Sequence, residues 1–315
     1  MNTVPNQDVK ASLNERDGFQ IWWRLLRPHT LTAAFVPVFI GSMLAALDGA
    51  LHIGLFTAML LASILIQAAT NMFNEYFDYV HGLDNEKSVG IGGAIVRDGI
   101  SPTTVKVLAY SFLGAATLLG VYICASSSWW IAAIGIISML FGYLYTGGPY
   151  PIAYTPYGEV TAGIFMGTII IGISYYIQTL TLELNVLIIS LPVAIFIGAI
   201  LLANNIRDRV GDAENGRRTL AILFGHEGAI HFLTSIYGLA YGLTVVLISI
   251  GVLPIWSIIA LLSLIKAKAS VMGFKNKNTP LEMMPAMKAT AQTNTFYGLL
   301  LGLSLLLHLY IPLTL

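Results

Sequence analysis

Long apolar runs, each closed by a short polar or glycine-containing break, follow one another from Thr30 to the end of the 315-residue chain. A helix needs roughly 20 residues to cross the hydrocarbon core of a bilayer. Runs of about that length occupy 30–47, 54–79, 103–124, 129–146, 158–179, 185–205, 227–251, 254–273 and 292–312. The narrowest break lies between the seventh and eighth, where Gly251 and Pro254 make the turn. The pattern predicts an all-α integral membrane protein of nine transmembrane helices. Residues 1–29 are expected to be a cytosolic N-terminal tail and 30–315 a single transmembrane domain.

Composition points the same way. The chain is 56% hydrophobic and 10% charged, whereas a soluble domain is about 25% charged. A soluble enzyme is excluded, the lipid bilayer is the expected surroundings, and no nucleic-acid partner is expected. Residues 1–20 are polar and lack the apolar stretch of a cleavable signal peptide, so none is expected. Cys124 is the only cysteine, which rules out an internal disulfide and a thiolate zinc site.

Charge gives the orientation. With the N-terminus inside, the inner segments carry Lys10, Arg16, Arg24 and Arg27; Lys87, Arg97 and Lys106; Arg207, Arg209, Arg217 and Arg218; and Lys266, Lys268, Lys275, Lys277 and Lys288. These are all 16 Lys and Arg residues. The opposite loops carry only acids such as Asp48 and Glu183, so the positive-inside rule predicts an N-in, C-out protein of the cell membrane.

Candidate chemistry gathers at the inner ends of the second and sixth runs. Asn71, Asn74 and Asp78 share one helical face, and Asp84 follows Gly82, a helix stop. Asn204, Asp208 and Asp212 recur at four-residue steps and form a second stripe. A single Asn or Asp at a helix end is ordinarily just solvated. Two spaced stripes of hard oxygen donors suit Mg²⁺, which takes one or two carboxylates and completes its shell with phosphate oxygens. Lys87, Arg97, Arg207, Arg209, Arg217 and Arg218 flank the stripes, serving membrane orientation or binding phosphate as guanidinium groups do. Lys266 to Lys277 are assigned to orientation and anionic headgroups.

The paired stripes resemble the Asp-rich motifs of the UbiA superfamily of intramembrane prenyltransferases. Further segments agree: LRPHTL from Leu26, YLYTGGPYP at Tyr143–Pro151, YGE at Tyr157–Glu159, and NNIRDRVGD followed by GRRTLA at Gly216–Ala221. Many relatives carry a third acid at position 82, where this chain has Gly and the acid is displaced to Asp84. That displacement is similar to the menaquinone-pathway branch.

The resemblance implies a nine-helix bundle with its active site open to lipid. It implies a polyprenyl diphosphate donor, 1,4-dihydroxy-2-naphthoate as acceptor, and demethylmenaquinone, diphosphate and CO₂ as products; the alternative within the family is another aromatic acceptor, 4-hydroxybenzoate or homogentisate. It also implies Mg²⁺ held by Asn74, Asp78, Asp84, Asn204, Asp208 and Asp212, with Asp78, Asp208 and Asp212 essential to catalysis. Lys87, Arg97 and Arg207 are expected at the diphosphate, and Asn71, Tyr143 and Tyr145 at substrate, where aromatic rings shield an allylic cation. Glu75 and Glu159 each remain either a base for the acceptor or a structural acid. A secondary transporter also combines apolar spans with intramembrane acids, but transporter sites lie near the midplane on broken helices, whereas these acids lie at one end.

Overall fold

The computed structural model describes residues 18–84 and 93–313, and every regular element among them is a helix. A short α1 (Phe19–Leu25) precedes α2 (Thr32–Leu47), α3 (Ile53–Val80), α4 (Pro102–Ser126), α5 (Ile131–Leu144), α6 (Gly158–Thr179), α7 (Leu184–Glu214), α8 (Leu220–Ser249), α9 (Ile255–Phe274) and α10 (Pro280–Tyr310). The protein is a multi-span membrane protein. Six helices among the described residues, α3, α4, α6, α7, α8 and α9, are long and apolar enough to cross a membrane. At 16 and 14 residues, α2 and α5 rise about 24 and 21 Å, short of a hydrocarbon core of about 30 Å. The longer α10 opens on a half that carries Glu282 and Lys288.

Helix boundaries depart from the apolar runs where polar residues continue the helix. Past residue 205, α7 continues to Glu214 and stops before Gly216, whose φ of +77° closes the end as a left-handed C-terminal residue does. The start of α10, well before residue 292, has a capping box between Thr279 and Glu282 and a proline in the first turn, both strong start signals. In α8 the first turn is separated from the rest by Gly225, at φ +69°.

Small residues let the helices approach. A Cβ on Gly298 or Gly302 of α10 would fall 2.1 Å from Val36 or Phe39 of α2. On α6, Cβ atoms on Gly163 and Gly167 would meet the Ala194 backbone of α7 at 2.7 and 2.6 Å. Such small-residue spacing replaces the hydrophobic driving force that helices lack in lipid. The same stretch of α6, Gly163–Ile169, is wound as a π-helix, a form frequent at functional sites.

Behind these contacts Phe196 of α7 packs against the rings of Tyr237, Tyr241 and Tyr297. Their hydroxyls are bonded within the bundle to Ser270, Ser263 and Thr244, as buried polar groups in lipid require. On α4 and α5, Val107, Leu118, Val121, Ile136 and Leu140 are exposed, an apolar surface suited to acyl chains.

Candidate active site

Side chains at the ends of α3 and α7 meet. Arg217, just beyond Gly216, donates through Nη2 to Asp78 Oδ1 at 2.7 Å and through Nη1 to Asp212 Oδ1 at 3.0 Å. Its own N–H bonds the Asp212 carbonyl, and its guanidinium lies 5.1 Å from the Tyr154 ring centre. Burial is the largest influence on Arg217 and opposes its charge, but the surrounding acids, Asp78 and Asp212 foremost, with Tyr145 and Tyr154, raise its pKa on balance. Arg207, buried in α7, grips both oxygens of Asp208 and places Nη1 3.7 Å from Met284 Sδ. Asp84 folds back, its N–H bonding the Asp78 carbonyl, and lies within Coulombic reach of Arg207. Gly82, at φ +75°, makes that return possible.

A cavity of about 350 Å³ starts beside this cluster. Its polar head is lined by Arg27, Thr30, Asn71, Asn74, Tyr145 and Asn204, and the rest of its wall is mainly apolar. It follows α3 from Asn74 to Met59, about 22 Å of helix rise. Val121, Trp129 and Ile136 both line it and are exposed outside, so it opens sideways where α4 and α5 face lipid. The π-wound turns of α6 supply Phe165, Met166 and Ile169 to the wall, with Phe165 stacked on Phe141 of α5 at 4.2 Å.

The structure sorts the expected residues. Asp78, Asp208, Asp212, Asp84 and Arg207 share the charged cluster, while Asn74, Asn204 and Tyr145 line the cavity beside it. Asn71 also reaches the cavity, but its amide is engaged: it donates to the Leu26 carbonyl and Thr30 Oγ1 and accepts from Gln67. Tyr143 lies elsewhere, edge-on to Phe73 and Phe77. Arg97 sits 3.6 Å from Asp98, which Arg24 also holds, and Lys87 is outside the described residues. Both carboxylate oxygens of Glu75 are engaged: they accept the N–H groups of Gly93 and Ile95, and Oε2 lies 3.5 Å from Arg27. Glu159 accepts from Asn205 at 2.8 Å through Oε1, while its buried Oε2 has no partner.

Two cations gain places in the fold that the sequence left open. Arg27 was legible only as part of LRPHTL and as one more inside charge. In the fold it holds a left-handed φ of +50° and lines the cavity head, with its buried Nε unpartnered. Beside it His29 is pushed down to about 4 by burial, then by Arg27 and Arg207, and is neutral at pH 7. Arg217 stood in the sequence among four similar arginines, and nothing local marked it as the bridge.

The donor chemistry fits a hard divalent cation. All candidate ligands are oxygens, and Asp212 Oδ2 is buried with no hydrogen-bond partner. Among the described residues no three carboxylates, imidazoles or thiols converge on one point. Asp78 and Asp212 instead share Arg217, while Asp208 is paired with Arg207.

A model of the UbiA prenyltransferase family matches residues 34–291. The chain is 52% identical, over 98% of its length and 100% of the relative's, to the 1,4-dihydroxy-2-naphthoate octaprenyltransferase of Bacillus subtilis (strain 168). It is 28% identical to the enzyme of the same name from Haemophilus influenzae, covering 95% of this chain and 99% of that one. A solved UbiA homolog from Archaeoglobus fulgidus bound to GPP and Mg²⁺ shares the fold with a TM-score of 0.61 at 15% identity, over 89% of this chain and 99% of that one.

Proposed function

The chain belongs to the UbiA prenyltransferase family, and from that premise we propose that it transfers a polyprenyl chain from its diphosphate to 1,4-dihydroxy-2-naphthoate, a step of menaquinone biosynthesis. The observation that carries this reading is the joining of a charged cluster to an apolar cavity that opens to lipid. Diphosphate belongs at the first and the prenyl tail in the second.

Asp78, Asp84, Asp208 and Asp212, with the amide oxygens of Asn74 and Asn204, are the residues that would hold Mg²⁺. Bound there, Mg²⁺ supplies Lewis-acid neutralisation of the charge that develops on the leaving diphosphate. Arg207 adds fixed positive charge at the same place. Tyr145 lines the head of the cavity, where an aromatic ring near the carbon from which diphosphate departs would stabilise positive charge. Arg27, in the same head, offers the acceptor's carboxylate a guanidinium. The allylic C–O bond breaks and diphosphate keeps the electron pair. The ring carbon bearing the carboxylate bonds to the allylic carbon, and loss of CO₂ returns its electron pair to the ring. No electron leaves the ring, so the immediate product is the quinol form of demethylmenaquinone.

Nine crossings fit this reading: α2, α5 and α10 complete the bundle, residues 1–29 form a cytosolic tail, and the charged cluster faces the cytoplasm of the cell membrane. A cysteine placed at Leu182 should react with an impermeant maleimide added to intact cells, and one at Asn215 should not; the reverse labelling would invert the topology. For the chemistry, detergent-purified protein is incubated with Mg²⁺, a polyprenyl diphosphate and a panel of aromatic acids, and the products are weighed by mass spectrometry. The naphthoate should be prenylated, EDTA should stop the reaction and Mg²⁺ restore it. A preference for 4-hydroxybenzoate would reassign the acceptor.

A further inference from the structure

Arg217 is the one side chain that joins the two acidic stripes among the described hydrogen bonds and ion pairs. Each of its terminal nitrogens serves a different carboxylate, Asp78 on α3 and Asp212 on α7. The arrangement leaves two buried polar atoms unused: Arg217 Nε, a donor, and Asp212 Oδ2, an acceptor. A donor left unused on one partner of this ion pair and an acceptor left unused on the other suit a ligand of both signs, an anion for the guanidinium and a cation for the carboxylate. Metal–diphosphate has that character.

The position of Arg217 in the chain allows it to move. It follows Gly216, at φ +77°, in the loop between α7 and α8, and its guanidinium lies over the Tyr154 ring in a cation–π contact. The backbone on either side is tied down, by Arg217 N–H to the Asp212 carbonyl and by Arg218 N–H to the Tyr154 carbonyl. The side chain can therefore exchange partners without the loop shifting.

Resting on the prenyltransferase reading above, we infer that Arg217 is a placeholder cation: it holds Asp78 and Asp212 together before the metal arrives, and then transfers its guanidinium to the diphosphate that the metal brings. Metal alone must displace the arginine and binds weakly. Metal with diphosphate gives the arginine a new anionic partner and binds well. Arg217 is thus a positioning residue that makes metal binding conditional on diphosphate.

The test measures Mn²⁺ affinity of the full-length, detergent-purified protein, by electron paramagnetic resonance of free Mn²⁺, with and without inorganic diphosphate. Values are corrected for Mn²⁺–diphosphate in protein-free controls. In the wild type diphosphate should tighten Mn²⁺ binding by at least about tenfold, the scale of a charge-assisted hydrogen bond gained. In Arg217→Gln, Mn²⁺ alone should bind at least about tenfold tighter than in the wild type, and most of the gain from diphosphate should vanish. Arg217→Lys keeps one charge but cannot span both carboxylates, so it should fall between the two; it carries the same test if the Gln variant does not fold. Unchanged Mn²⁺ affinity and unchanged coupling in a folded variant would overturn the placeholder role and leave the metal site standing. Absence of Mn²⁺ binding in the wild type under both conditions would overturn the metal reading and the placeholder with it.

Discussion

Asp78 and Asp208 stand at the ends of different helices, each already bound to an arginine, by Arg217 and Arg207. Replacing either by alanine removes a charged metal ligand and strands a cation. Asp78→Ala and Asp208→Ala should each lower turnover by at least about a hundredfold while the protein still assembles in the membrane. Near-wild-type rates at saturating Mg²⁺ would remove them from the metal site. Arg27 makes a different prediction because it lines the cavity head with an unused Nε. Arg27→Lys keeps the charge but loses the guanidinium fork, and should raise the KM for the naphthoate by about tenfold with little change in the KM for the donor. Equal changes in both would make Arg27 a structural anchor of Glu75. These residues were unequally legible in the sequence. The acidic stripes announce themselves because helical spacing puts them on one face, whereas Arg27 and Arg217 gain their roles from partners more than 40 residues away, which no local pattern encodes. Tyr143 shows the converse: it sits in a motif of the right composition, yet it faces Phe73 and Phe77, because neighbouring helical positions point in different directions.

Helix positions follow from hydropathy, but helix lengths do not. An apolar run ends where water begins, whereas a helix ends where its caps and glycines put the end. Gly216 therefore carries α7 beyond the membrane run, and the Thr279–Glu282 capping box starts α10 early. The same difference explains why apolar runs predicted nine crossings while length and composition support six. The close contact of α10 with α2 was equally hidden, since Gly298 and Gly302 gain meaning only from Val36 and Phe39. Gly298→Leu should force the two helices apart and cost about 1–3 kcal/mol, read as a lower melting temperature in detergent. Gly114→Leu is the control: a Cβ there meets nothing, so stability should stay near wild type. Equal effects at both positions would mean that α10 and α2 are not packed as described.

Across the whole molecule, a charged cluster at one end of the bundle feeds an apolar cavity that opens to lipid. A long prenyl tail can then remain in apolar surroundings while its diphosphate meets the arginines. Ala62 lines that cavity on α3, several turns below Asn74. Ala62→Trp should block the path of a long donor while sparing geranyl diphosphate, whose short tail ends above it. Equal loss with both donors would place the tail elsewhere. The central claim is tested most directly with 1,4-dihydroxy-2-naphthoate labelled in its carboxyl carbon, incubated with purified protein, Mg²⁺ and a polyprenyl diphosphate. The account predicts one labelled CO₂ for each diphosphate released, and a prenylated quinol without label; a prenylated product that keeps the label, or no prenylation of this acceptor, would contradict it.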